Sequence, residues 1–389
     1  MGLYIGNQRV CPIVRVKGDD TQGEFLVTVI DYDGTILKQD HLNTGDKMYL
    51  PPEPNHSNLV FQGWSCVQGV TTDSTGAQYV TVNGSDITVG AFYNTVDGNT
   101  EIDIEITKLM DLDITVKIQG EKDWGDGTTD SLQTHTYADY GNYTIVCKGS
   151  SWGSISSSSG AFNQGTSSAN YFVKAIIIGS KLSSINITYA LQYLYGLETI
   201  SISRKSVTSV GSYFLRNCIN LRAVVIPEGI RTIGNYALYY IQQLQYVALP
   251  STVNTLNQYS LSALNQLQSI TLPPNITTMA NSLLANCSHL QRITIPNRVT
   301  SIGSSSISGC YSLSYIKIPP SVTSIGSSAF ANDRECIYDF SSHTAIPTLT
   351  AGAFNGLYIT TKILVPNALL ASWKAATNWA AYADYIYGV

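Results

Sequence analysis

The sequence predicts a mainly β chain of the α+β solenoid type. Its carboxyl-terminal half is expected to be a right-handed solenoid of strands and short helices or turns, preceded by two small all-β modules. Three observations support this fold class. The carboxyl-terminal half repeats at a fixed period, the preceding residues alternate between apolar and polar side chains, and Gly and Pro punctuate them at turns. With 389 residues, the chain is long enough for two or more domains.

The repeat is carried by apolar residues spaced 23 apart. Two columns of identical residues show it: Leu221, Leu244, Leu267, Leu290 and Leu313, with Pro227, Pro250, Pro273, Pro296 and Pro319. A period of 20–29 residues with this leucine pattern is typical of a leucine-rich-repeat solenoid. The leucine begins a strand, and the proline ends it because proline has no N–H to donate. Each coil leaves apolar side chains that only stacking against neighbouring coils can bury.

Residues 290–296, 299–303 and 307–313, with a closing copy at 318–330, resemble the BspA-type (Treponema pallidum-like) leucine-rich repeats of bacterial surface proteins. The repeat domain is predicted to span residues 171–389, with a cap at 337–389. Seven strands are expected to begin near Val173, Leu197, Leu221, Leu244, Leu267, Leu290 and Leu313. Two more are expected at 337–340 and 362–365. Trp373 and Trp379 are expected to cover the last coil, because its apolar end needs a lid.

Residues 1–20 are predicted to be an N-terminal tail, followed by a β module at 21–98. In that module Asp33-Gly34 is a hairpin signal between alternating segments. The order of this hairpin, the prolines at 51–54, Phe61-Gln62-Gly63-Trp64 and a final strand resembles the Listeria–Bacteroides surface repeat. That resemblance implies a β-grasp-like fold, in which we expect Trp64 to be a core residue.

Residues 99–150 are predicted to be a second β module. The segment Trp124-Gly125-Asp126-Gly127-Thr128, followed by His135-Thr136-Tyr137, resembles the PKD module, which implies an immunoglobulin-like sandwich. Asp123 and Asp126 lie beside glycines, and we expect their carboxylates to hold turns rather than calcium. Residues 151–170 are rich in Ser and Gly and are predicted to be a linker.

The residues indicate no enzyme, no metal and no cofactor. Gly149–Gly153 fits G-x-S-x-G, but the helix that this motif requires is not indicated after it. The five histidines are scattered, with no pair at metal-ligand spacing. Cys218, Cys287 and Cys310 share one repeat position with aliphatic residues, so we expect buried free thiols.

Binding is predicted on the outward side chains of the solenoid strands, because stacked coils align them into one continuous sheet face. The candidate binding residues are Arg222, Gln245, Tyr246, Gln268, Gln291, Arg292, Tyr315 and Lys317. A net charge of −5 without a basic run argues against nucleic acid as a partner. No apolar run approaches the ~18–20 residues of a membrane span.

The function that these features favour is a non-enzymatic bacterial surface or secreted adhesion protein that binds a host or bacterial surface protein or glycan. In this hypothesis the β modules act as a stalk, the solenoid acts as the binding head, and the chain is a monomer. No signal peptide is visible, although an extracellular or cell-surface location is expected. The alternative is a phage or prophage structural protein, located on the virion, that uses the repeats for host recognition.

Overall fold

The computed structural model describes residues 4–5, 8–9, 25–107, 113–152, 162–163, 171–182, 188–203, 209–332 and 335–389. Strands β1 (Tyr4–Ile5) and β2 (Gln8–Arg9) pair antiparallel within the predicted N-terminal tail. The rest of residues 1–20, including Cys11, lies outside the described residues. The described chain is mainly β, which confirms the predicted fold class.

The first module forms two small sheets. Its strands are β3 (Phe25–Ile30), β4 (Ile36–Leu42), β5 (Lys47–Tyr49), β6 (Leu59–Ser65), β7 (Thr71–Thr72), β8 (Gln78–Thr81) and β9 (Ile87–Thr95). Strands β3 and β4 pair across the predicted turn, where Gly34 has a φ of 89° that favours glycine. Strand β9 pairs parallel with β3 and antiparallel with β6. Trp64 is buried in the core of this module, as predicted.

The second module shares its main sheet with the solenoid. Its strands are β10 (Thr100–Ile106), β11 (Asp113–Val116), β12 (Lys122–Asp123), β13 (Thr129–Asp130), β14 (Thr134–Thr136), β15 (Gly141–Cys147) and β16 (Phe162–Asn163). Strand β10 pairs antiparallel with β15 and with the first solenoid strand, β17 (Val173–Ile178). One apolar core therefore continues from this module into the solenoid, and the module covers the end of the first coil.

Part of the predicted linker belongs to this module. Phe162 is buried and pairs with Val116, while Trp152 forms a bridge to Ile118. The linker interpretation is therefore wrong at these positions, because Phe162 adds an apolar side chain to the core. Residues 153–161 and 164–170 lie outside the described residues, as does the last glycine of the G-x-S-x-G stretch.

The solenoid strands follow at the period of the repeat. After β17 they are β18 (Thr199–Ile202), β19 (Ala223–Val225), β20 (Thr232–Ile233), β21 (Tyr246–Ala248), β22 (Thr255–Leu256), β23 (Ser269–Thr271), β24 (Thr278–Met279), β25 (Arg292–Thr294), β26 (Ser301–Ile302), β27 (Tyr315–Lys317), β28 (Ser324–Ile325), β29 (Ile337–Asp339), β30 (Thr348–Leu349) and β31 (Lys362–Val365). Successive coils, which we number 1 to 9, start with β17, β18, β19, β21, β23, β25, β27, β29 and β31. All nine strands lie where the repeat predicts them.

Coils 3 to 8 have three sides. The repeat leucine lies two residues before the first strand and points inward, and Leu221, Leu244 and Leu290 have no exposed surface. A shorter strand forms the second side, as in the parallel pair β26 and β28. The third side is a turn whose backbone bonds to the next coil. Residues 235–241 form such a turn rather than a short helix, since Tyr236 and Tyr240 have φ of 56° and 60°, outside the helical region.

The last coil is covered by the carboxyl terminus. This cap contains a 3₁₀ helix (Asn367–Leu369), helix α1 (Leu370–Ala375), a second 3₁₀ helix (Ala380–Tyr385) and strand β32 (Ile386–Gly388). Trp373 and Trp379 are buried, with ring centroids 4.6 Å apart. The indole N–H of Trp379 donates to the carbonyl of Pro347 at 2.8 Å. The two tryptophans therefore close the apolar core, as predicted.

Candidate binding surfaces

The predicted binding residues lie on the outward side of the strands that start the coils, which we call the strand face. Coil stacking brings them together. The backbone N–H of Gln245 donates to the carbonyl of Arg222 at 2.8 Å, and that of Gln291 donates to Gln268 at 2.7 Å. The register also places Ser269 opposite Arg292. The geometry of the predicted face is therefore present, whereas its role in binding stays a prediction.

The first module contacts the strand face over coils 2 to 6, which the sequence did not predict. In coil 2 the backbone N–H of Tyr93 donates to the hydroxyl of Ser201 at 3.2 Å. The predicted binding residues of coils 3 to 6 that keep exposed side chains are Arg222, Gln245, Gln268, Gln291 and Arg292. A buried cluster joins the two parts: Ile30, Phe92, Ala223, Val225 and Ala248. Tyr246, one of the predicted binding residues, packs against this cluster. The expected arrangement of a β stalk and an open solenoid head is therefore wrong at these contacts, because the outward apolar side chains of coils 3 and 4 are already buried within the chain.

A glycine in β9 allows the two backbones to approach closely. A Cβ atom on Gly90 would lie 2.4 Å from Cγ2 of Val225 and 2.9 Å from Cβ of Ala248. Next to this contact, the hydroxyl of Ser65 donates to the carbonyl of Ile226 at 2.5 Å. The module is therefore fitted to coils 3 and 4 by both shape and hydrogen bonding.

Polar contacts extend the covered area to coils 5 and 6. Nη1 of Arg292 lies 3.1 and 3.2 Å from the two carboxylate oxygens of Asp86, and the hydroxyl of Thr271 donates to the carbonyl of Asp86. Half of the Arg292 side chain is exposed, so this ion pair contributes at most about 1 kcal/mol. Arg292 is nevertheless engaged by the chain itself rather than pointing freely into solvent.

The strand face carries exposed polar side chains in coils 7 to 9. Ser314, Lys317 and Lys362 are exposed, and strand pairing sets Lys317 beside Asp339. The hydroxyl of Tyr315 donates to Oδ2 of Asp339 at 2.6 Å, which fixes the ring across two coils. Of the predicted binding residues, Tyr315 and Lys317 therefore lie on the part of the face beyond the contacts of the first module described above.

A second surface lies on the turns of coils 1 to 4. Tyr189, Tyr213, Tyr236 and Tyr259 form one stacked row, which we call the tyrosine ridge. Successive ring centroids are 4.8, 5.0 and 4.5 Å apart, with interplanar angles of 28°, 5° and 6°. Offset stacking of this kind contributes about 0.5–1.5 kcal/mol per pair. The candidate binding residues predicted from the sequence do not include this row, although three of the four tyrosines recur at the repeat spacing of 23.

The backbone holds the ridge in register. Each of these tyrosines has a positive φ, and the N–H of Tyr236 donates to the carbonyl of Gln258, the residue before Tyr259. Later coils place serine at the same position, and Ser282, Ser305 and Ser328 share the positive φ. The turn therefore accepts either side chain, so the tyrosines are not required by the repeat itself.

One arginine stands on the ridge. The guanidinium carbon of Arg216 lies 5.4 Å and 5.3 Å from the ring centroids of Tyr193 and Tyr213, within cation–π range. The turn segments 188–195, 211–219, 234–243 and 257–266 contain no Asp or Glu, and Arg216 is their only charged residue. The described part of the chain gives it no ion pair, and its buried Nε has no hydrogen-bond partner there.

The titratable side chains serve the structure. Oδ1 of Asp123 accepts the N–H of Gly125, and Oδ1 of Asp126 accepts that of Thr128, which confirms their predicted turn role. Burial favours a higher pKa for Asp126, but the hydrogen bonds from Thr128 and His135 outweigh it and lower the pKa. Among the described residues, no group of three His, Cys, Asp or Glu side chains is placed to hold a metal ion.

The cysteine column is buried and unbridged. Cys218, Cys287 and Cys310 are buried thiols outside any disulfide, and Sγ of Cys287 donates to the carbonyl of Leu261 in the preceding coil at 3.2 Å. Burial raises the pKa of Cys287 to about 12, so this thiol stays protonated and unreactive at neutral pH. The described chain contains no helix with the length and apolar character needed to span a bilayer.

The stacked coils with inward leucines and a parallel strand on two sides define a leucine-rich-repeat solenoid. Residues 168–291 and 208–337 match the model of the BspA type leucine rich repeat region, in six copies. This part of the chain is therefore a BspA-type leucine-rich repeat region. No curated protein matches the chain. The resemblances of residues 21–98 and 99–150 to other surface modules stay predictions.

Three solved structures are similar to this chain. A leucine-rich repeat protein from Bacteroides ovatus is 22% identical over 64% of this chain and 70% of its own, with a TM-score of 0.44. A leucine rich cell surface protein from Faecalibacterium prausnitzii is 18% identical over 50% and 73%, with a TM-score of 0.29. The T. pallidum leucine rich repeat protein is 19% identical over 51% and 86%, with a TM-score of 0.34. At these TM-scores the likeness carries no argument about function.

Proposed function

We propose that this protein is a non-enzymatic adhesion or binding protein of the bacterial surface, whose solenoid recognises a protein or glycan. One observation carries the proposal: the first module contacts the strand face over coils 2 to 6, whereas the exposed side chains of Lys317 and Lys362 in coils 7 to 9 lie beyond those contacts. Binding is therefore assigned to the outer coils, with Tyr315 and Lys317 as its central residues. Arginine and tyrosine side chains are favoured at such interfaces, and Tyr315 is already held in place by Asp339.

The first module gives the solenoid a fixed orientation rather than a flexible stalk. Its contacts with Val225, Ala248 and Arg292 join it to the repeat region over several coils. A rigid platform binds with less loss of conformational entropy than a tethered head. Tyr246 and Arg292, which the sequence suggested as ligand contacts, are in this proposal contacts that hold the chain together.

Arrays of surface proteins, glycans and peptides, probed with the full chain, test the proposal. A ligand found in this way is expected to bind Tyr315→Ala and Lys317→Ala at least tenfold more weakly, since each removes a central contact. Lys374→Ala, an exposed lysine in the cap, is the control and is expected to bind unchanged. Hydrolysis of an ester, glycoside or peptide by the purified chain would contradict the non-enzymatic assignment, and failure to bind any ligand would remove the support.

A further inference from the structure

We propose that the tyrosine ridge binds an acidic oligosaccharide that lies along the solenoid axis, with a sugar carboxylate on Arg216. This inference rests on the proposed binding function and names a ligand class and a site away from the strand face. The ridge is formed by Tyr189, Tyr213, Tyr236 and Tyr259, and Arg216 stands at its side.

The ridge presents ring edges and hydroxyl groups rather than ring faces. Stacking at 4.5–5.0 Å covers the faces of the inner rings, and each ring is about half-buried. Within the described residues, the hydroxyl groups of these four tyrosines form no hydrogen bond. None of them is a buried polar atom without a partner. Each phenol can donate and accept, so coils 1 to 4 offer a row of polar groups, one per coil.

The spacing of this row favours a glycan over a peptide. Side chains on one side of an extended peptide repeat about every 6.6–6.8 Å, which does not match coils 4.5–5.0 Å apart. Each unit of a 1,4-linked pyranose chain advances by close to one coil. The turn backbone also has little to offer an added strand, because the N–H groups of Tyr213 and Tyr236 already bond to the next coil.

Two further tyrosines widen the surface beside the row. The ring of Tyr239 lies 5.3 Å from that of Tyr236 at 75°, and Tyr240 follows at 5.9 Å with 37% of its surface exposed. These rings stand across the row and supply apolar surface for the C–H face of a sugar, while the hydroxyls contact its polar groups. The surface is therefore amphipathic in the same way as a pyranose.

The charge on the ridge selects an acid. Arg216 is the only charged side chain in the turns of coils 1 to 4, and no carboxylate of the described chain pairs with it. A guanidinium forms two parallel hydrogen bonds with a carboxylate, and stacking on Tyr193 and Tyr213 holds its plane in place for this. A uronic acid within the oligosaccharide would place its carboxylate at the guanidinium of Arg216.

Calorimetric titration of the full chain with β-1,4-linked tetramannuronate tests the inference, and β-1,4-mannotetraose is its uncharged counterpart. We expect the acid to bind at least about tenfold more tightly, since a charge-assisted hydrogen bond contributes about 1.5–3 kcal/mol. Binding is also expected to weaken in salt. Tetraglutamate and 3′-sialyllactose, which carry the acid on a peptide or on a chain end, are expected to bind more weakly. Equal binding of mannotetraose or tetraglutamate, or no binding of tetramannuronate, would overturn the proposal.

Variants locate the site. Arg216→Gln is expected to remove the preference for tetramannuronate over mannotetraose, and Tyr236→Ser to weaken binding of both about tenfold. Serine already occupies this position at Ser305 with the same backbone conformation, so the fold is expected to persist. Tyr358→Ser, an exposed tyrosine on coil 8, is the control. Wild-type affinity for tetramannuronate in both ridge variants would refute glycan binding at the tyrosine ridge. If Lys317→Ala still weakens binding of an array ligand at least tenfold, the proposed function stands without the ridge.

Discussion

Gly90→Ala is expected to disturb the contact between the first module and coils 3 and 4. The new Cβ atom would meet Cγ2 of Val225 at 2.4 Å and Cγ1 at 2.8 Å, well inside normal contact distance. Since strand β9 is fixed on both edges by β3 and β6, the overlap is relieved by separating the module from the solenoid. Overpacking of this kind costs about 1–3 kcal/mol, which urea unfolding followed by circular dichroism measures.

A double-mutant cycle distinguishes this contact from a general loss of stability. Val225→Ala alone removes two methyl groups and is expected to cost about 1–2 kcal/mol. Combined with Gly90→Ala it also removes the two closest overlapping atoms and leaves only Cβ of Ala248 at 2.9 Å, so the double variant is expected to lose less than the sum by about 1 kcal/mol or more. Additive losses, within about 0.3 kcal/mol, would refute direct contact between Gly90 and Val225.

Three other outcomes follow from the structure. Arg292→Ala is expected to lower the free energy of unfolding by less than about 1 kcal/mol, because the Arg292 side chain in its ion pair with Asp86 is half exposed; a larger loss in urea unfolding would contradict this. His343 is buried beside Phe340 and Trp373, and burial lowers its pKa. The imidazole of His343 therefore becomes protonated at a higher pH in the unfolded state than in the folded state. Its contribution to the free energy of unfolding is fully present above pH 6.5 and is lost as the pH falls from there toward the pKa of the folded state. His343→Leu is expected to make the melting temperature less dependent on pH in this range, and an unchanged pH dependence would refute this expectation. Trp379→Phe is expected to cost about 1–3 kcal/mol, because the carbonyl of Pro347 loses its donor, and an unchanged urea midpoint would refute it.

The repeat region could be predicted closely from the sequence. A single repeat period predicts the strand positions, the inward leucines and the prolines after each strand, because every coil packs against its neighbours through the same kinds of residues. Strands at Ile337–Asp339 and Lys362–Val365 were predicted as well, even though the period loosens there. The tryptophan lid followed from the need to cover an open apolar end.

The contacts between distant segments could not be predicted. In the sequence, Gly90 is an ordinary glycine within a predicted strand. Its close contact with Val225 and Ala248 is visible only in the structure. Ala223, Val225 and Ala248 made the strand face more apolar in coils 3 and 4 than later, which was the available sign that something covers it. The turn tyrosines were visible as a column in the sequence, but their stacking depends on a positive φ that the residue type does not reveal.

A cysteine pair tests most directly whether the first module lies on the strand face. The Cβ of residue 34 would lie 3.1 Å from that of Ala223, close to the ~3.5–4.5 Å of a disulfide. Gly76 has nearly the same φ, 88° against 89°, and nothing within 4 Å of its Cβ, so it is the matched control. Under mild oxidation, Gly34→Cys with Ala223→Cys is expected to form a bridge, seen as faster migration in nonreducing electrophoresis. Absence of this bridge, or equal bridging by Gly76→Cys with Ala223→Cys, would contradict the placement of the first module on the strand face.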